Sequence, residues 1–207
     1  MENKYTVKGK EISFVEVEKS KFYGIIFKNN SKDEFLKELE AIKKEYPKAR
    51  HYCYAYVLEN EKKSSDNGEP TNTAGKPILN ILEIHNLINV GLVVVRYFGG
   101  TLLGAGRLTR SYSLAAEEAF KKSTILKLVE KKKVRVLVDL DSYDKFLSYL
   151  KVKQYISIKT LFNDRIIVDF LADKNFEKES LDIFLKKVEY VGEVSYLDEE
   201  EVKWWLN

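Results

Sequence analysis

Hydrophobic and polar positions alternate along the first part of the chain in patterns that predict strands. Residues 12–18, 22–27 and 51–58 are rich in β-branched and aromatic side chains with partial alternation. Between the last two, apolar residues recur at helical spacing from Phe35 to Ile42. Ser31 and Glu34 precede them at the spacing of a capping box, and Pro47 stops the segment. Residues 12–58 are therefore predicted to form two strands, a helix and a third strand.

The middle of the chain predicts a long loop, two helices and one buried strand. Gly, Pro, Asn and Asp are so frequent in residues 61–76 that a loop without regular structure is predicted, and such loops are often functional. A helix follows from Pro77, with His85 on its apolar stripe and so predicted to be a core histidine. Residues 92–98 are nearly all apolar, as expected of a central strand. Another helix is predicted from about Gly104 to Lys121.

The last third of the chain predicts a second domain. Strands are predicted at residues 134–140, 155–161, 165–171 and 193–196, and helices at 141–150 and 176–188. That βαββαβ order is the ferredoxin-like split βαβ unit. The basic segment Lys131–Lys133 is interpreted as a connector. The fold class is therefore α+β, with one domain at residues 1–130 and a ferredoxin-like domain at 134–207.

Composition excludes several classes of protein. With 44% hydrophobic and 32% charged residues, the chain of 207 residues has ample material for packed cores. No apolar run approaches the roughly 20 residues that span a bilayer, and the first residues lack the apolar core of a signal peptide, so we expect a cytoplasmic protein with no membrane partner. The single cysteine, Cys53, excludes a cysteine-cluster zinc site, and no metal or cofactor is expected.

Charge is distributed unevenly along the chain. The net charge of +3 is too small for a protein that binds nucleic acid with its whole surface, so any basic footprint must be local. The positive excess lies within residues 1–130, whereas residues 131–207 carry a slight negative excess. The first domain is therefore the better candidate for binding an anionic partner.

The strongest local signal is a glycine- and arginine-rich segment, residues 95–110, between a predicted strand and a predicted helix. Glycines here let the backbone approach an anion, and the N–H groups at a helix start attract negative charge. Arg107 and Arg110 share one helix face. Arg96 can reach the same anion site at the glycine turn, and the arginines could contact phosphate there in bidentate fashion. The candidate anion- or nucleic-acid-binding residues are Arg96, Tyr97, Gly99, Gly100, Gly104, Gly106, Arg107, Arg110 and Lys76.

A structural alternative exists for the same segment. A tight turn between a strand and a helix can need glycine for its backbone angles alone, without any ligand. Arginines on an exposed helix face extend into solvent. The glycine spacing fits neither the Walker A pattern nor the Rossmann fingerprint. Spacing by itself therefore leaves anion binding and the structural turn both open.

The turn-rich loop adds a second set of candidates, which are Asp66, Gly68, Glu69 and Thr73. Asp66 and Glu69 could act as general acid and base or as magnesium ligands, although carboxylates in such loops more often cap turns. His51 and Cys53 share one face of a strand, but same-face neighbours have Cβ atoms about 7 Å apart, so a structural role is favoured over a catalytic dyad. No catalytic residue is identified.

Two sequence blocks, Asp66–Leu79 and Val93–Leu108, preceded by residues 51–56, resemble the YigZ/IMPACT family. The resemblance covers the whole chain, because bacterial members join an IMPACT domain to a ferredoxin-like domain similar to the last domain of elongation factor G. It implies a first domain similar to the second domain of a small-subunit ribosomal protein, a fold shared with translation factors and some small-molecule kinases. One departure is Asn72, where the family usually has Gly; asparagine tolerates left-handed backbone geometry better than most residues.

The resemblance implies a link with translation. Eukaryotic relatives act in regulation of translation through protein partners, and bacterial members have been suggested to bind nucleic acid without an assigned reaction. The first hypothesis is therefore an RNA- or ribosome-binding regulator, with the arginines contacting phosphates. The second is an enzyme or sensor for a small phosphorylated metabolite at the same glycine turn, by analogy with the kinases.

Overall fold

The computed structural model of the protein describes residues 3–162, 165–184 and 188–202. The chain divides into two compact units: unit 1 comprises Met1–Leu128 with residues 200–207, and unit 2 comprises Val129–Glu199. That each unit folds by itself stays a prediction, which expression of residues 1–128 alone would test. Helices and strands are mixed in both units, which confirms the α+β class. No helix among the described residues is long and apolar enough to cross a membrane.

Unit 1 is built on a five-stranded antiparallel sheet. In chain order its elements are β1 (Lys4–Val7), β2 (Lys10–Val17), β3 (Ser20–Lys28), α1 (Lys32–Glu45), β4 (His51–Val57), β5 (Lys62–Ser65), α2 (Gly75–Ile84), β6 (Val90–Tyr97) and α3 (Ala105–Lys122), followed by β7 (Ile125–Val138). The strand order of the sheet is β2-β3-β6-β4-β5. β1 lies outside this sheet and pairs with residues 125–128 of β7. The predicted central strand is therefore β6, with a neighbour on each side.

Helices cover both faces of this sheet. α1 packs on one face, where it buries Phe35 and two further apolar side chains, and α2 and α3 pack on the other. Side chains of a strand alternate between faces, so Val93 and Val95 of β6 join the α1 core while Val94 joins the α2/α3 core. Arg96, two residues after Val94, extends from β6 on the α2/α3 face.

The start of α1 follows the predicted capping pattern. Ser31 Oγ accepts a hydrogen bond from the Glu34 N–H at 3.2 Å, and Glu34 Oε2 accepts one from the Asn30 N–H at 2.8 Å. Helix N-termini leave four N–H groups without partners inside the helix, and side chains close in sequence can satisfy them. α1 ends at Glu45, two residues before Pro47, as predicted.

Two predictions for unit 1 are wrong. The predicted loop contains β5, which pairs with β4; an exposed edge strand of Lys and Ser carries no apolar alternation, so the pattern could not indicate it. His85 is not a core residue, because α2 ends at Ile84 and the imidazole is only partly buried. Its ring stacks on Phe120 and its Nε2 lies 3.2 Å from Glu117 Oε2.

Unit 2 has the predicted succession of elements. After β7 come α4 (Tyr143–Val152), β8 (Ile156–Phe162), β9 (Ile166–Asp173) and β10 (Val188–Val202), with 3₁₀ helices at Leu140–Ser142 and Lys178–Phe184. The predicted helix at 176–188 is thus a 3₁₀ helix in its described part, and residues 185–187 lie outside the described residues. The sheet order is β10-β7-β9-β8. The succession matches a βαββαβ unit in which the second helix is 3₁₀.

The segment Lys131–Lys133 is not a connector. It lies inside β7, where the three residues pair with β9 and Lys131 forms an ion pair with Asp173 at 3.1 Å. Ladder hydrogen bonds use backbone groups, so a polar segment can continue a strand that a neighbour supports. The compositional signal of a linker was therefore misleading here.

A buried carboxylate anchors β9 to β7. Asp169 is 1% exposed and lies directly opposite Arg135, whose Nε and Nη2 donate to its two carboxylate oxygens at 2.6 and 2.8 Å. These hydrogen bonds from Arg135 hold the pKa of Asp169 below its ordinary value. A carboxyl group with a lowered pKa stabilises the fold above its unfolded pKa, and this contribution disappears as pH falls through the folded pKa.

We therefore predict that Arg135→Leu destabilises the protein more at neutral than at acid pH. At about pH 7 the substitution leaves a buried charged carboxylate whose remaining cationic neighbour, Lys133 Nζ, lies 3.7 Å away, whereas at about pH 3 protonation removes much of the difference between variant and parent. Urea unfolding midpoints at both pH values measure the effect. Arg165→Leu is the control, because its partners Asp139 and Glu189 are exposed. A destabilisation by Arg135→Leu that does not change with pH would contradict the assignment.

Candidate functional site

A pocket of about 430 Å³ opens where β6 ends and α3 begins, and we call it the β6–α3 pocket. Its polar lining comes from Arg50, His51, Glu69 and Arg96. Its apolar lining includes Phe98, Leu102, Leu103 and Leu108, and Gly104 and Ala105 bring the first turn of α3 to its wall. All of these residues belong to unit 1. The pocket thus combines buried charge, apolar surface and a helix N-terminus, as ligand sites often do.

A second cavity, of about 470 Å³, lies beside α1 and is lined by Lys10, Glu38 and neighbouring residues. Lys10 Nζ lies 2.8 Å from Glu38 Oε1 and 3.5 Å from Glu45 Oε2. Lys10 is therefore already paired with carboxylates of the chain, and the other two lysines of the lining, Lys28 and Lys37, are exposed, so the cavity offers no comparable set of buried functional groups. The β6–α3 pocket is the stronger candidate.

Two opposite charges meet inside the β6–α3 pocket. Arg96 Nη1 donates to Glu69 Oε1 at 2.6 Å, and the two side chains are only 7% and 5% exposed. The Tyr112 hydroxyl donates to the same oxygen at 2.8 Å. The guanidinium lies 5.6 Å from the ring centroids of both Phe22 and Phe98. Arg96 is therefore fixed in a desolvated ion pair rather than extended into solvent.

The thiol behind this pair is not a nucleophile. Cys53 Sγ is buried, 2.9 Å from the Asp66 carbonyl oxygen and 3.3 Å from the Tyr112 hydroxyl. Burial raises the pKa of the Cys53 thiol to about 12, so it stays protonated at neutral pH. Burial likewise raises the pKa of Tyr112, which keeps its hydroxyl proton for Glu69. The structural role favoured for Cys53 is in keeping with this environment.

His51 belongs to the pocket rather than to a dyad with Cys53. Its Nδ1 lies 2.9 Å from the Asn67 carbonyl oxygen, a group that can only accept, so Nδ1 carries a proton, and in the neutral imidazole Nε2 has a lone pair. Gly68 has a left-handed φ of +84°, and a Cβ there would come within 3.4 Å of Nδ1. That distance is an ordinary van der Waals contact, so the backbone angle rather than the space beside the imidazole favours glycine here.

Asp66 caps a helix and does not face the pocket as an acid or base. Its Oδ1 accepts from the N–H groups of Ala74 and Gly75 at 2.9 and 2.8 Å, and its Oδ2 accepts from the Asn72 N–H at 2.9 Å. These donors belong to the start of α2, where the residue at the cap position, Ala74, has no side-chain oxygen. Asn72, which stands where the family usually has Gly, adopts the left-handed region with φ +61°, a conformation that asparagine tolerates better than most residues.

Thr73, the last of the loop candidates, also has a structural role. It is buried and its Oγ1 donates to the Pro70 carbonyl oxygen at 2.6 Å. Of the four loop candidates, only Glu69 therefore brings a functional group into the pocket. Neither the composition nor the spacing of the loop distinguished it from Asp66.

The first turn of α3 is open to a partner. Gly104 occupies the cap position with φ +71°, there is no side-chain cap and no acidic residue in the first turn. The first intrahelical bond runs from the Leu108 N–H to the Gly104 carbonyl oxygen, so the N–H groups of residues 105–107 precede it. A Cβ at Gly104 or Gly106 would meet no atom within 4 Å.

Gly99 and Gly100 have different roles in the turn before α3. A Cβ at Gly99 would lie 2.2 Å from backbone atoms of Lys19 and Ser20, so this glycine is required by packing. Its N–H also donates to Ser20 Oγ at 3.1 Å. Gly100 has φ +93° and open space around it, so glycine is favoured here by the left-handed backbone angle of the turn and not by packing.

The three arginines do not converge on one mouth as expected. Arg107 is about half exposed and pairs with Glu18 of the β2–β3 turn, and Arg110 is exposed and bonded to no described residue. Neither lines the β6–α3 pocket. The reason is that Arg96 extends beneath the loop towards Glu69, whereas Arg107 and Arg110 lie on the outer surface of α3. Lys76 is likewise exposed, in the first turn of α2.

Tyr97 lies on the other face of the sheet. It contacts Tyr23 and its hydroxyl donates to the Pro47 carbonyl oxygen at 3.1 Å, so it has no part in the pocket. Conversely, sequence reasoning missed Tyr112 and Phe98. Tyr112 lies on the buried face of α3, and the available signal was a phenol hydroxyl on a helix face whose other members are mostly apolar.

Comparison with known proteins covers the whole of this site. Residues 18–120 match the family described as the Impact N-terminal domain. The IMPACT family member YvyE of Bacillus subtilis is 37% identical over 136 residues, which are 64% of this chain and 61% of the relative. An IMPACT family member of Haemophilus influenzae is 39% identical over 133 residues, 61% of this chain and 62% of the relative. The chain thus spans about three fifths of the length of these curated relatives.

Two further matches agree with these. The IMPACT family member YigZ of Escherichia coli is 36% identical over 114 residues, 53% of this chain and 56% of the relative. A crystal structure of a hypothetical protein superposes with a TM-score of 0.61 at 24% identity, covering 93% of this chain and 98% of that one, and this likeness shows the fold alone. From the matching domain and the named relatives together, we conclude that the chain belongs to the IMPACT family.

Proposed function

We propose that this protein is a cytoplasmic, translation-linked regulator that binds RNA, free or within the ribosome, through the start of α3. The resemblance to the IMPACT family supports the link with translation, with a protein partner in translation control as a further possibility. The proposal includes the likeness of unit 1 to a ribosomal-protein domain and of unit 2 to the last domain of elongation factor G. The chemistry of the α3 start supports an anionic partner.

One observation carries the proposal: the open space around Gly106. Glycine in a helix costs about 1 kcal/mol relative to alanine. The φ angle of Gly106 is not positive, and no atom lies within 4 Å of the position of a Cβ, so packing within the described residues does not require glycine here. The absence of a side chain lets a phosphate approach the N–H groups of residues 105–107, where the helix dipole also favours an anion.

Exposed basic side chains surround this helix start. Arg107 forms an ion pair with Glu18, but the two side chains are 51% and 40% exposed, and exposed ion pairs contribute little to stability. A phosphate can therefore replace Glu18 at small cost. Arg110 carries a charge that no described residue neutralises. These two arginines lie one helical turn apart, close enough to contact successive phosphates of one strand.

The double substitution Arg107→Ala and Arg110→Ala is expected to weaken RNA binding in a salt-dependent way. Each phosphate contact on a single strand contributes about 0.7 to the slope of log K against log salt, so the slope should fall in magnitude by about 1.4. Titration of a short fluorescent single-stranded RNA at several KCl concentrations measures it. The fold should be unaffected, because neither side chain is buried.

The matched control is Lys43→Ala with Lys44→Ala on α1, which removes the same charge from a different part of unit 1. It should leave the slope nearly unchanged. Equal effects of both double variants would indicate a diffuse positive field, and no effect of the arginine pair would remove RNA from the start of α3.

A second candidate function is binding of a small phosphorylated metabolite. The volume of the β6–α3 pocket, about 430 Å³, favours it, because pockets of roughly 300–1,000 Å³ are typical of small-molecule sites. Whether a reaction follows binding is not part of the proposal. A ligand held inside the pocket would lose much less affinity with salt than a polymer that contacts several phosphates.

A further inference from the structure

The β6–α3 pocket contains functional groups whose hydrogen bonding is incomplete. Arg96 Nε is buried and has no acceptor among the described residues, although Nη1 is paired with Glu69. Glu69 Oε1 takes both the Arg96 and the Tyr112 donors, whereas Oε2 accepts from no described residue. Unmade hydrogen bonds of buried groups cost free energy, so a buried donor such as Arg96 Nε is commonly completed by a ligand or ordered water, whereas Glu69 Oε2 is an acceptor with room for a further donor. These two groups line the pocket and remain available to an occupant.

The vacant positions specify the polarity of a ligand. Glu69 Oε2 and the lone pair of His51 Nε2 can only accept, so they call for two donors, such as neighbouring hydroxyl groups. Arg96 Nε, the N–H groups at the start of α3 and the guanidinium of Arg50 can only donate, so they call for acceptor oxygens, such as those of an acidic group. A ligand that fits therefore carries both hydroxyl groups and an acidic group.

The apolar lining specifies the body of the ligand. Phe98 is 45% exposed and Leu102 is 87% exposed, and both border the opening of the pocket. An exposed aromatic ring beside a basic site offers a surface on which a base can stack. Planar base, neighbouring hydroxyls and phosphate are the three parts of a ribonucleotide.

We propose that the β6–α3 pocket binds one ribonucleoside 5′-phosphate with free 2′ and 3′ hydroxyls. The phosphate lies at the start of α3 near Arg50, the ribose hydroxyls donate to Glu69 and His51, and the base stacks on Phe98. The same chemistry is present in a free nucleotide and at the 3′ end of an RNA chain. For the RNA end, this inference rests on the proposed function; the free nucleotide does not require it.

Binding measurements on the full chain test the proposal with three probes: AMP, a short RNA with a 3′-terminal ribose, and the same RNA ending in a 2′,3′-dideoxynucleotide. The RNA with the complete terminal ribose should bind about tenfold more tightly than the dideoxy-ended one, because a site that accepts hydroxyl protons discriminates against their absence. AMP should bind, and should compete with the ribose-ended RNA. Equal binding of the two RNAs together with no binding of AMP would overturn the inference.

Two variants locate the effect. Glu69→Gln can keep an acceptor towards Arg96 and Tyr112 while presenting an NH₂ group at the position of Oε2, so the preference for the terminal ribose should disappear. Phe98→Ala removes the stacking surface and should weaken AMP about tenfold. Phe98 is half exposed, so this variant tests the pocket even if Glu69→Gln fails to fold. Unchanged AMP affinity in a folded Phe98→Ala protein would contradict the placement of the base.

The binding probes and the variants also distinguish a failure of this inference from a failure of the proposed function. RNA binding that depends on Arg107 and Arg110 but is indifferent to the terminal ribose, with no AMP binding, overturns the pocket inference alone. AMP binding that Glu69→Gln and Phe98→Ala weaken, without salt-dependent RNA binding, overturns the proposed function and assigns the pocket to a free nucleotide.

Discussion

Arg96→Leu is expected to lower the free energy of unfolding by about 3–5 kcal/mol, because it leaves the carboxylate of Glu69 buried with only the Tyr112 hydroxyl as donor. Removing one partner of a buried ion pair is more costly than removing both. The double substitution Arg96→Leu with Glu69→Leu should therefore recover much of the loss. Urea unfolding of the parent, the two single variants and the double variant forms the required cycle.

Arg107→Leu is the matched control for this cycle. It also breaks an arginine–glutamate pair, with Glu18, but both side chains are substantially exposed, so the loss should stay under about 1 kcal/mol. A similar small loss for Arg96→Leu would mean that water reaches the Glu69 carboxylate freely. The pocket would then be a solvated cleft in which water completes the hydrogen bonds of Arg96 and Glu69.

Gly99→Ala is expected to destabilise unit 1 by about 3 kcal/mol or more, the upper range for overpacking a tight site. The new Cβ would lie 2.2 Å from backbone atoms of Lys19 and Ser20, and backbone cannot move aside as the end of a flexible side chain can. Relief would have to shift the β2–β3 turn away from β6, where Lys21 pairs with Tyr97. Thermal unfolding followed by circular dichroism measures the loss.

Gly106→Ala is the control, and we expect it to raise the stability of the protein while lowering its affinity for RNA. The added methyl group meets no atom and improves helix propensity, so stability should rise by up to about 1 kcal/mol. RNA affinity should fall, because the methyl group covers the N–H groups at the start of α3. A stabilised variant with unchanged RNA affinity would remove the observation on which the proposed function depends, whereas a stable Gly99→Ala would show that the β2–β3 turn is free to move.

The elements that sequence predicted correctly are those specified by neighbouring residues. Ser31 and Glu34 act within one turn of the helix that they cap, and the continuous apolar run of β6 reflects a strand with helices on both faces. β5 escaped prediction because an edge strand is defined by its partner β4 rather than by its own pattern. The prediction of a connector at Lys131–Lys133 was wrong for the same reason, because the segment is a strand by virtue of its pairing with β9.

The sequence by itself determined the family, the α+β class and the segment in which the site lies, because conspicuous glycines, prolines and apolar periods are local properties of the chain. Only the tertiary structure decided which charges are buried. Glu69, Arg96 and Tyr112 are far apart in sequence and meet because a loop, a strand and a helix converge on one face of the sheet. Asp66, three residues from Glu69, instead faces the α2 N-terminus. Both residues are carboxylates, so residue type could not separate them; burial, which depends on the surrounding fold, distinguishes the carboxylate that caps a helix from the one that lines the pocket.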